Sequence, residues 1–212
     1  MKKNILQKPK LIHFEGCDGT FKSTISKNYS LHINAFHTYE PNAEIEKCKD
    51  LREECLSAKY KHLITDEERE EKLIQSREIS LSKIIIPKLN EGITVVSDRG
   101  FLSGMVYASV SCKKYNNFSV WWNEFGKRIK ILPDEIIYCY NHKSIIEKKS
   151  DRIDDIYDNE TNDFHNKIRE NFELVISWLI TNEIIKSPKR FFCDPSLNEQ
   201  ENLKKLIQYL EM

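Results

Sequence analysis

The 212-residue chain balances 33 basic against 33 acidic side chains and is 40% hydrophobic and 31% charged. That balance leaves no surplus positive field for a nucleic-acid backbone, while a local basic pocket for a small phosphate compound stays open. No stretch approaches the roughly 18 apolar residues of a membrane span, and the opening MKKNILQKPKLIHFE lacks a signal-peptide core.

Taken in chain order, Leu11 to Phe14 is a short apolar run followed by Gly16-Cys17-Asp18-Gly19, a strand and then a loop. Ser23 to Ile33 reads as a helix, and Ala35 to Tyr39 as a second strand stopped by Pro41. Helix-favouring, charged sequence fills Ala43 to Ala58, and a longer helix runs from about Asp66 to Asn90, kinked at Pro87. Gly92 ends it, and Ile93-Thr94-Val95-Val96 is the clearest buried strand. Helical sequence then extends from Phe101 to Lys130, where Trp121, Trp122 and Phe125 pack a helix onto the core or a dimer partner. Glu135 to Tyr140 is the next strand, and Asn141 to Thr161 is polar. A helix from about Asn162 to Asn182, a strand at Arg190 to Cys193 and a helix at Glu199 to Leu210 close the chain. Strands alternating with helices predict an α/β fold, a parallel sheet covered on both faces with ligands at the carboxyl ends of its strands.

The strongest chemical signal is Phe14-Glu15-Gly16-Cys17-Asp18-Gly19-Thr20-Phe21-Lys22-Ser23-Thr24, between the first strand and the first helix. A P-loop needs a glycine, four residues, then Gly-Lys-Ser/Thr. Gly16, Lys22 and Ser23 stand in place, and Phe21 occupies the last glycine position. In such a loop, main-chain N–H groups and the helix N-terminus surround a phosphate. Lys22 reaches the outer phosphates of ATP, and Ser23 holds Mg²⁺. The whole run from Gly16 through Cys17, Asp18, Gly19, Thr20, Phe21, Lys22 and Ser23 to Thr24 is the candidate ATP-phosphate site. Phe21 leaves two readings open, an outward ring with a working loop or a degenerate loop.

Other residues narrow the chemistry. Lysines number 25 and arginines only 8, so an arginine can mark a place that needs a planar fork. The six cysteines form no CxxC pair, which favours reduced thiols in a cytoplasm over disulfides or zinc. The six histidines show no ligand spacing, so no metal is expected beyond Mg²⁺ with the nucleotide.

These motifs, with Pro87-Lys88-Leu89, Gly92, Val95-Val96-Ser97-Asp98-Arg99, Phe101-Leu102-Ser103-Gly104, Tyr107, Leu132-Pro133-Asp134, Asp151-Arg152-Ile153-Asp154, Phe164-His165, Lys167-Ile168-Arg169 and Cys193-Asp194-Pro195-Ser196, are colinear over roughly residues 10 to 210. Together they resemble the thymidylate kinase family. The resemblance implies one P-loop nucleotide kinase domain over 1–212: a three-layer fold with a five-stranded parallel sheet flanked by helices and a short lid at about 142–161. It further implies transfer of the ATP γ-phosphoryl group to dTMP, giving dTDP and ADP, by a cytoplasmic homodimer, with a viral origin admitted. Asp18 is expected at the sugar 3′-hydroxyl, Arg99 on the acceptor phosphate, and Asp98 beside Ser23 at Mg²⁺. Arg77 reads the thymine edge, Leu73 covers the base face, and Ser103, Gly104 and Tyr107 line the pocket with Glu40. Arg152 swings in from the lid, so Lys22, Arg99, Arg152 and Asp18 form the catalytic set.

Departures keep alternatives in view. The family carries Arg-Glu-Pro after its second strand, and this chain has Tyr39-Glu40-Pro41; an aromatic that stacks on thymine is replaced by Leu73. A deoxynucleoside kinase of the same fold would use Glu40 as a base on a neutral hydroxyl. A nucleotide-binding protein with a degenerate loop would bind ATP without transferring anything.

Overall fold

The computed structural model describes residues 8–141, 156–157 and 160–211. Strand β1 (Leu11–Glu15) is buried along its whole length, as its apolar run requires. It lies between β3 (Val95–Asp98) and β4 (Glu135–Tyr140), with β2 (Phe36–Tyr39) and β5 (Lys189–Phe192) outermost. Among the described residues the five strands form one parallel sheet in the order β2-β3-β1-β4-β5, registered through pairs such as Phe14 with Asp98 and Glu15 with Tyr138. A crevice therefore opens at the carboxyl end of β1, where the chain leaves toward one side first and the other side later.

Helices cover both faces. On one, Ile12 and Phe14 pack with Val96, Ile137 and Phe191 against Ile25 of α1 (Lys22–His32) and Leu206 of α8 (Glu199–Glu211). On the other, Tyr138 meets Leu102 and Met105 of α5 (Phe101–Ser111), Trp121 of α6 (Phe118–Phe125), and Phe172 and Val175 of α7 (Asn162–Thr181). Each fully buried large side chain of this kind contributes roughly 1.5–3 kcal/mol. Because side chains alternate along a strand, Ile12 and Phe14 face α1 and α8, leaving His13 and Glu15 toward α5. Two polar groups are thus buried beneath the crevice. Helix α2 (Glu46–Leu56) packs on α3 (Asp66–Ser80) to form its far wall.

Several boundaries differ from the expectation, each for a local reason. β3 begins two residues later than expected, because Ile93 N–H and Gly92 N–H return to the carbonyls of Lys88 and Leu89 and cap the preceding helix. That helix is continuous in outline but changes winding: α3 passes through a wider π turn at Leu81–Ile85 into α4 (Ile86–Asn90), where Pro87 has no N–H to donate. The Phe101 to Lys130 stretch is two α-helices, each followed by a short 3-10 turn, since Cys112 is extended and Asn117 caps α6 through the N–H of Ser119. α2 starts later than Ala43, because the Asn42 side chain takes the N–H groups of Glu44 and Ile45. Arg152 and most of the lid stretch lie outside the described residues.

Candidate active site

The loop after β1 wraps the start of α1. Gly16 has φ 146°, and a Cβ there would stand 2.1 Å from the Cys139 carbonyl oxygen of β4, so only glycine fits. Gly19 is also left-handed, at φ 77°, and its carbonyl accepts from Asn141 Nδ2 at 3.0 Å. Thr20 is buried and ties its hydroxyl to the Cys17 carbonyl at 2.9 Å. Phe21 sits at φ 52°, ψ 13°, a left-handed conformation that costs an L-residue roughly 1–2 kcal/mol. Its ring packs against the Phe14–Ile25 cluster, away from the cleft. The strained backbone keeps the turn a glycine would have made.

Helix α1 then begins without a side-chain cap and without an acidic residue in its first turn. Helices α3 and α7 are capped by Thr65, in a full capping box with Glu68, and by Thr161. The uncapped N–H groups and the helix dipole of α1 suit an anion. Lys22 is buried beside them, its Nζ 3.3 Å from Asp98 Oδ1, and Ser23 favours the charged form of the same carboxylate. Burial pushes the Asp98 carboxyl up, but Lys22, Arg99 and Ser23 outweigh it and hold it below the usual carboxylate range. Thr24 turns its hydroxyl to Glu199 of α8 at 3.1 Å.

A cleft of about 840 Å³ opens next to the loop, lined by Asp18, Lys22, Ser23, Glu40, Leu73, Arg77, Asp98, Arg99, Ser103, Gly104 and Tyr107. Every acceptor-side candidate from the sequence borders it, as do both metal candidates. Arg99, at φ 71°, donates from Nη1 to the Gly16 carbonyl and to Ser103 Oγ, each at 3.1 Å, and from Nη2 to Asp18 Oδ1 at 2.5 Å. Tyr107 Oη donates to Asp18 Oδ2 at 2.9 Å, and the Arg99 guanidinium lies 5.2 Å from the Tyr107 ring. Burial works against the Arg99 charge, but the carboxylates of Asp18, Asp98 and Glu15 around it keep it firmly protonated. Burial and the Asp18 carboxylate likewise push the Tyr107 phenol well above its ordinary range.

Arg77 enters from α3. Its Nε donates to Glu40 Oε2 at 2.5 Å and its Nη2 to the Gly100 carbonyl at 3.2 Å, while the buried Nη1 has no partner among the described residues. Gly104 makes room for it: a Cβ there would lie 3.0 Å from Arg77 Nη2. Beneath Arg77, Glu70 accepts from Trp121 Nε1 at 2.8 Å, and burial raises its carboxyl to about 7 against the pull of Arg77.

The cleft also holds residues outside the expected site set. Tyr39 and Arg52 line it: Arg52 lies 6.0 Å from the Tyr39 ring centroid and donates to the Pro41 carbonyl at 2.7 Å. Tyr157 brings its ring within 5.1 Å of Tyr107. Glu15, under Ser103, is fully buried; a charged residue inside the run Leu-Ile-His-Phe-Glu was its one signal.

Residues 14–190 match the family model for thymidylate kinase. The chain belongs to the thymidylate kinase family. It is similar to the thymidylate kinases of Ligilactobacillus salivarius, 28% identical over 174 residues covering 76% of this chain and 81% of that one, and of Finegoldia magna, 28% identical over 181 residues covering 78% and 84%. Among solved structures, the thymidylate kinases of Ehrlichia chaffeensis and Candida albicans share its fold, with TM-scores of 0.68 and 0.72 at 17% and 18% identity. Each alignment covers 96% of this chain, and 99% and 92% of the respective neighbour. As a member of the thymidylate kinase family the chain is a nucleoside monophosphate kinase, transferring the γ-phosphoryl group of ATP to dTMP. Neither the nucleoside kinase nor the degenerate nucleotide-binding alternative is favoured. Among the described residues no helix is long and apolar enough to cross a membrane.

Proposed function

We propose that the loop and the head of α1 hold the triphosphate of ATP while the adjoining cleft holds dTMP, its phosphate on Arg99. The observation that carries this assignment is the shared lining: Lys22 and Arg99 border one cleft from the ends of neighbouring strands β1 and β3. An attacking phosphate oxygen is already anionic, so the reaction needs alignment and charge neutralisation and no general base. Glu40, the base a nucleoside kinase would require, is engaged instead with Arg77.

In this reading the dTMP phosphate competes with Asp18 for the Arg99 fork, and Asp18 turns to the sugar 3′-hydroxyl. The unpartnered Nη1 of Arg77 meets the thymine edge, Leu73 covers the base face, and Tyr107 closes the sugar side. Ser23 and Asp98 suit Mg²⁺: both are hard oxygen donors, and Asp98 Oδ1 is buried with no hydrogen bond among the described residues apart from its ion pair with Lys22. A Mg²⁺ ion held by Ser23 and Asp98 would supply charge neutralisation to the donor phosphates. Arg152 of the lid adds a cation over the transferring group. The enzyme works as a cytoplasmic homodimer in this account, each 1–212 chain being one kinase domain.

The test is a coupled assay of the purified protein with Mg²⁺, ATP and either dTMP or thymidine. ADP release with dTMP and none with thymidine is the expected result. Transfer to thymidine alone would overturn the assignment.

A further inference from the structure

Glu15 ends β1 directly before the phosphate loop, with its side chain on the α5 side of the sheet. Both the N–H and the hydroxyl of Ser103 donate to Glu15 Oε2, the N–H at 3.2 Å. Ser103 Oγ in turn accepts from Arg99 Nη1 at 3.1 Å. A serine hydroxyl has one proton and two lone pairs. Once its proton is committed to Glu15, the side that remains toward Arg99 can only accept.

We propose that Glu15 is a positioning residue for phosphoryl transfer, fixing the Ser103 hydroxyl so that Arg99 is held in aim at the acceptor phosphate. The inference rests on the reading that Arg99 grips the phosphate of dTMP. Glu15 touches no substrate; it acts through Ser103.

The surroundings give this relay a pH signature. Among the described residues Glu15 Oε1 is buried without a hydrogen bond and faces His13 Nδ1 at 4.0 Å, which has no hydrogen-bond partner there either. His13 shares its strand, Arg77 lies on α3, Glu40 follows β2, Arg99 follows β3, Ser103 is on α5, and Tyr138 is the neighbour in register on β4. Burial raises the Glu15 carboxyl to about 7, against the hydrogen bond of Ser103 and the charges of Arg99 and Arg77. Burial, helped by Arg77, lowers His13 to about 3, so its ring stays neutral while Glu15 titrates. Protonated on Oε1, Glu15 still accepts from Ser103 through Oε2 and leaves the Arg99 charge unopposed from below. Once ionised, it draws on that charge, and the grip on an anionic ligand weakens as pH rises through about 7.

The experiment compares wild type with Glu15→Gln and Glu15→Leu, measuring KM for dTMP and for ATP at intervals across neutral pH, with circular dichroism to confirm folding. Glutamine keeps an acceptor for Ser103 and cannot ionise. The ratio of the dTMP KM of wild type to that of Glu15→Gln is expected to climb several-fold from the acid to the alkaline side of neutrality. The same ratio for ATP stays flat. Ionisation of dTMP itself cancels in the ratio. Glu15→Leu, which also cannot ionise but offers no acceptor, has a KM for dTMP about tenfold above that of Glu15→Gln at every pH, in keeping with a lost hydrogen bond in a charged network. A dTMP ratio that does not move with pH, a dTMP KM in Glu15→Leu equal to that of Glu15→Gln, or a Glu15→Gln chain that cannot fold would each overturn the proposal. If wild type itself fails to phosphorylate dTMP, the underlying reading of the cleft has failed instead.

Discussion

The proposed phosphate loop is one contiguous stretch that offers an anion its main-chain amides, whereas the cleft beside it is assembled from side chains on α3, the ends of β2 and β3, and α5. The loop's shape is set by torsions at Gly16, Gly19 and Phe21. In the cleft, shape is set by pairing: Arg99 is held by Asp18 and Ser103, Arg77 by Glu40 and the Gly100 carbonyl. A site made of amides survives changes of side chain that preserve its torsions. A site made of paired side chains is undone by the loss of a single partner.

The sharpest way to break this contrast is Arg99→Ala. Removing one preorganised cation from a charge-stabilising site costs on the order of 10²–10³ in kcat. Alanine inherits the same left-handed backbone at position 99, so no new strain is added and the fold should persist. Steady-state kinetics beside a thermal melt checks both halves. Near-normal turnover would remove Arg99 from the acceptor site.

The same contrast explains what was legible in the sequence. The loop could be read because its spacing is local, and the alternation of strand and helix gave the parallel sheet. Asp98 and Arg99 could be read because they end a buried strand. The pairings could not, since Asp18 and Arg99 stand 81 positions apart and Glu40 and Arg77 stand 37 apart. Glu15 hid for another reason: a carboxylate in an apolar strand has meaning only when the residue across from it is known. The end of α4 was obscured by its own cap, which drew Ile93 out of the strand its composition suggested.

Next in size is an effect on stability under the cleft. Glu70 is completely buried and its carboxyl is raised from 4.5 to about 7, so the folded state binds its proton more tightly than the unfolded state. Its contribution is therefore fully present below about 4.5 and is lost as pH rises toward about 7. Glu70→Gln, which keeps an acceptor for Trp121, should gain about 1–3 kcal/mol relative to wild type on moving from pH 4.5 to above 7. Denaturant unfolding at both pH values measures it. A difference that stays constant with pH would mean that Glu70 titrates in the folded chain where it does in the unfolded one.

Gly104→Ala probes pairing without touching a charge. The added Cβ would press on Arg77 Nη2, and the guanidinium has little room to yield between Glu40 and the Gly100 carbonyl. A displacement worth about 1.4 kcal/mol raises KM for dTMP about tenfold. The effect on KM for ATP should be small. Equal losses for both substrates would show that the two halves of the site are not separable in this way.

The smallest effect falls in the loop, at Phe21→Gly. Glycine relieves the left-handed strain, a gain of roughly 1–2 kcal/mol. Against this stand the lost packing of a partly buried ring on the Phe14–Ile25 cluster, about 1 kcal/mol, and the added freedom of the unfolded chain, roughly 0.5–1 kcal/mol. The terms nearly cancel, so the melting temperature should barely move, and the ring does not line the cleft, so KM for dTMP should hold. Since φ at position 21 already has the sign a glycine would supply, the loop amides keep their places and KM for ATP changes by less than about threefold. A large improvement in ATP binding would instead mean that the side chain distorts the cradle, and that this loop depends on its side chains as much as the cleft does.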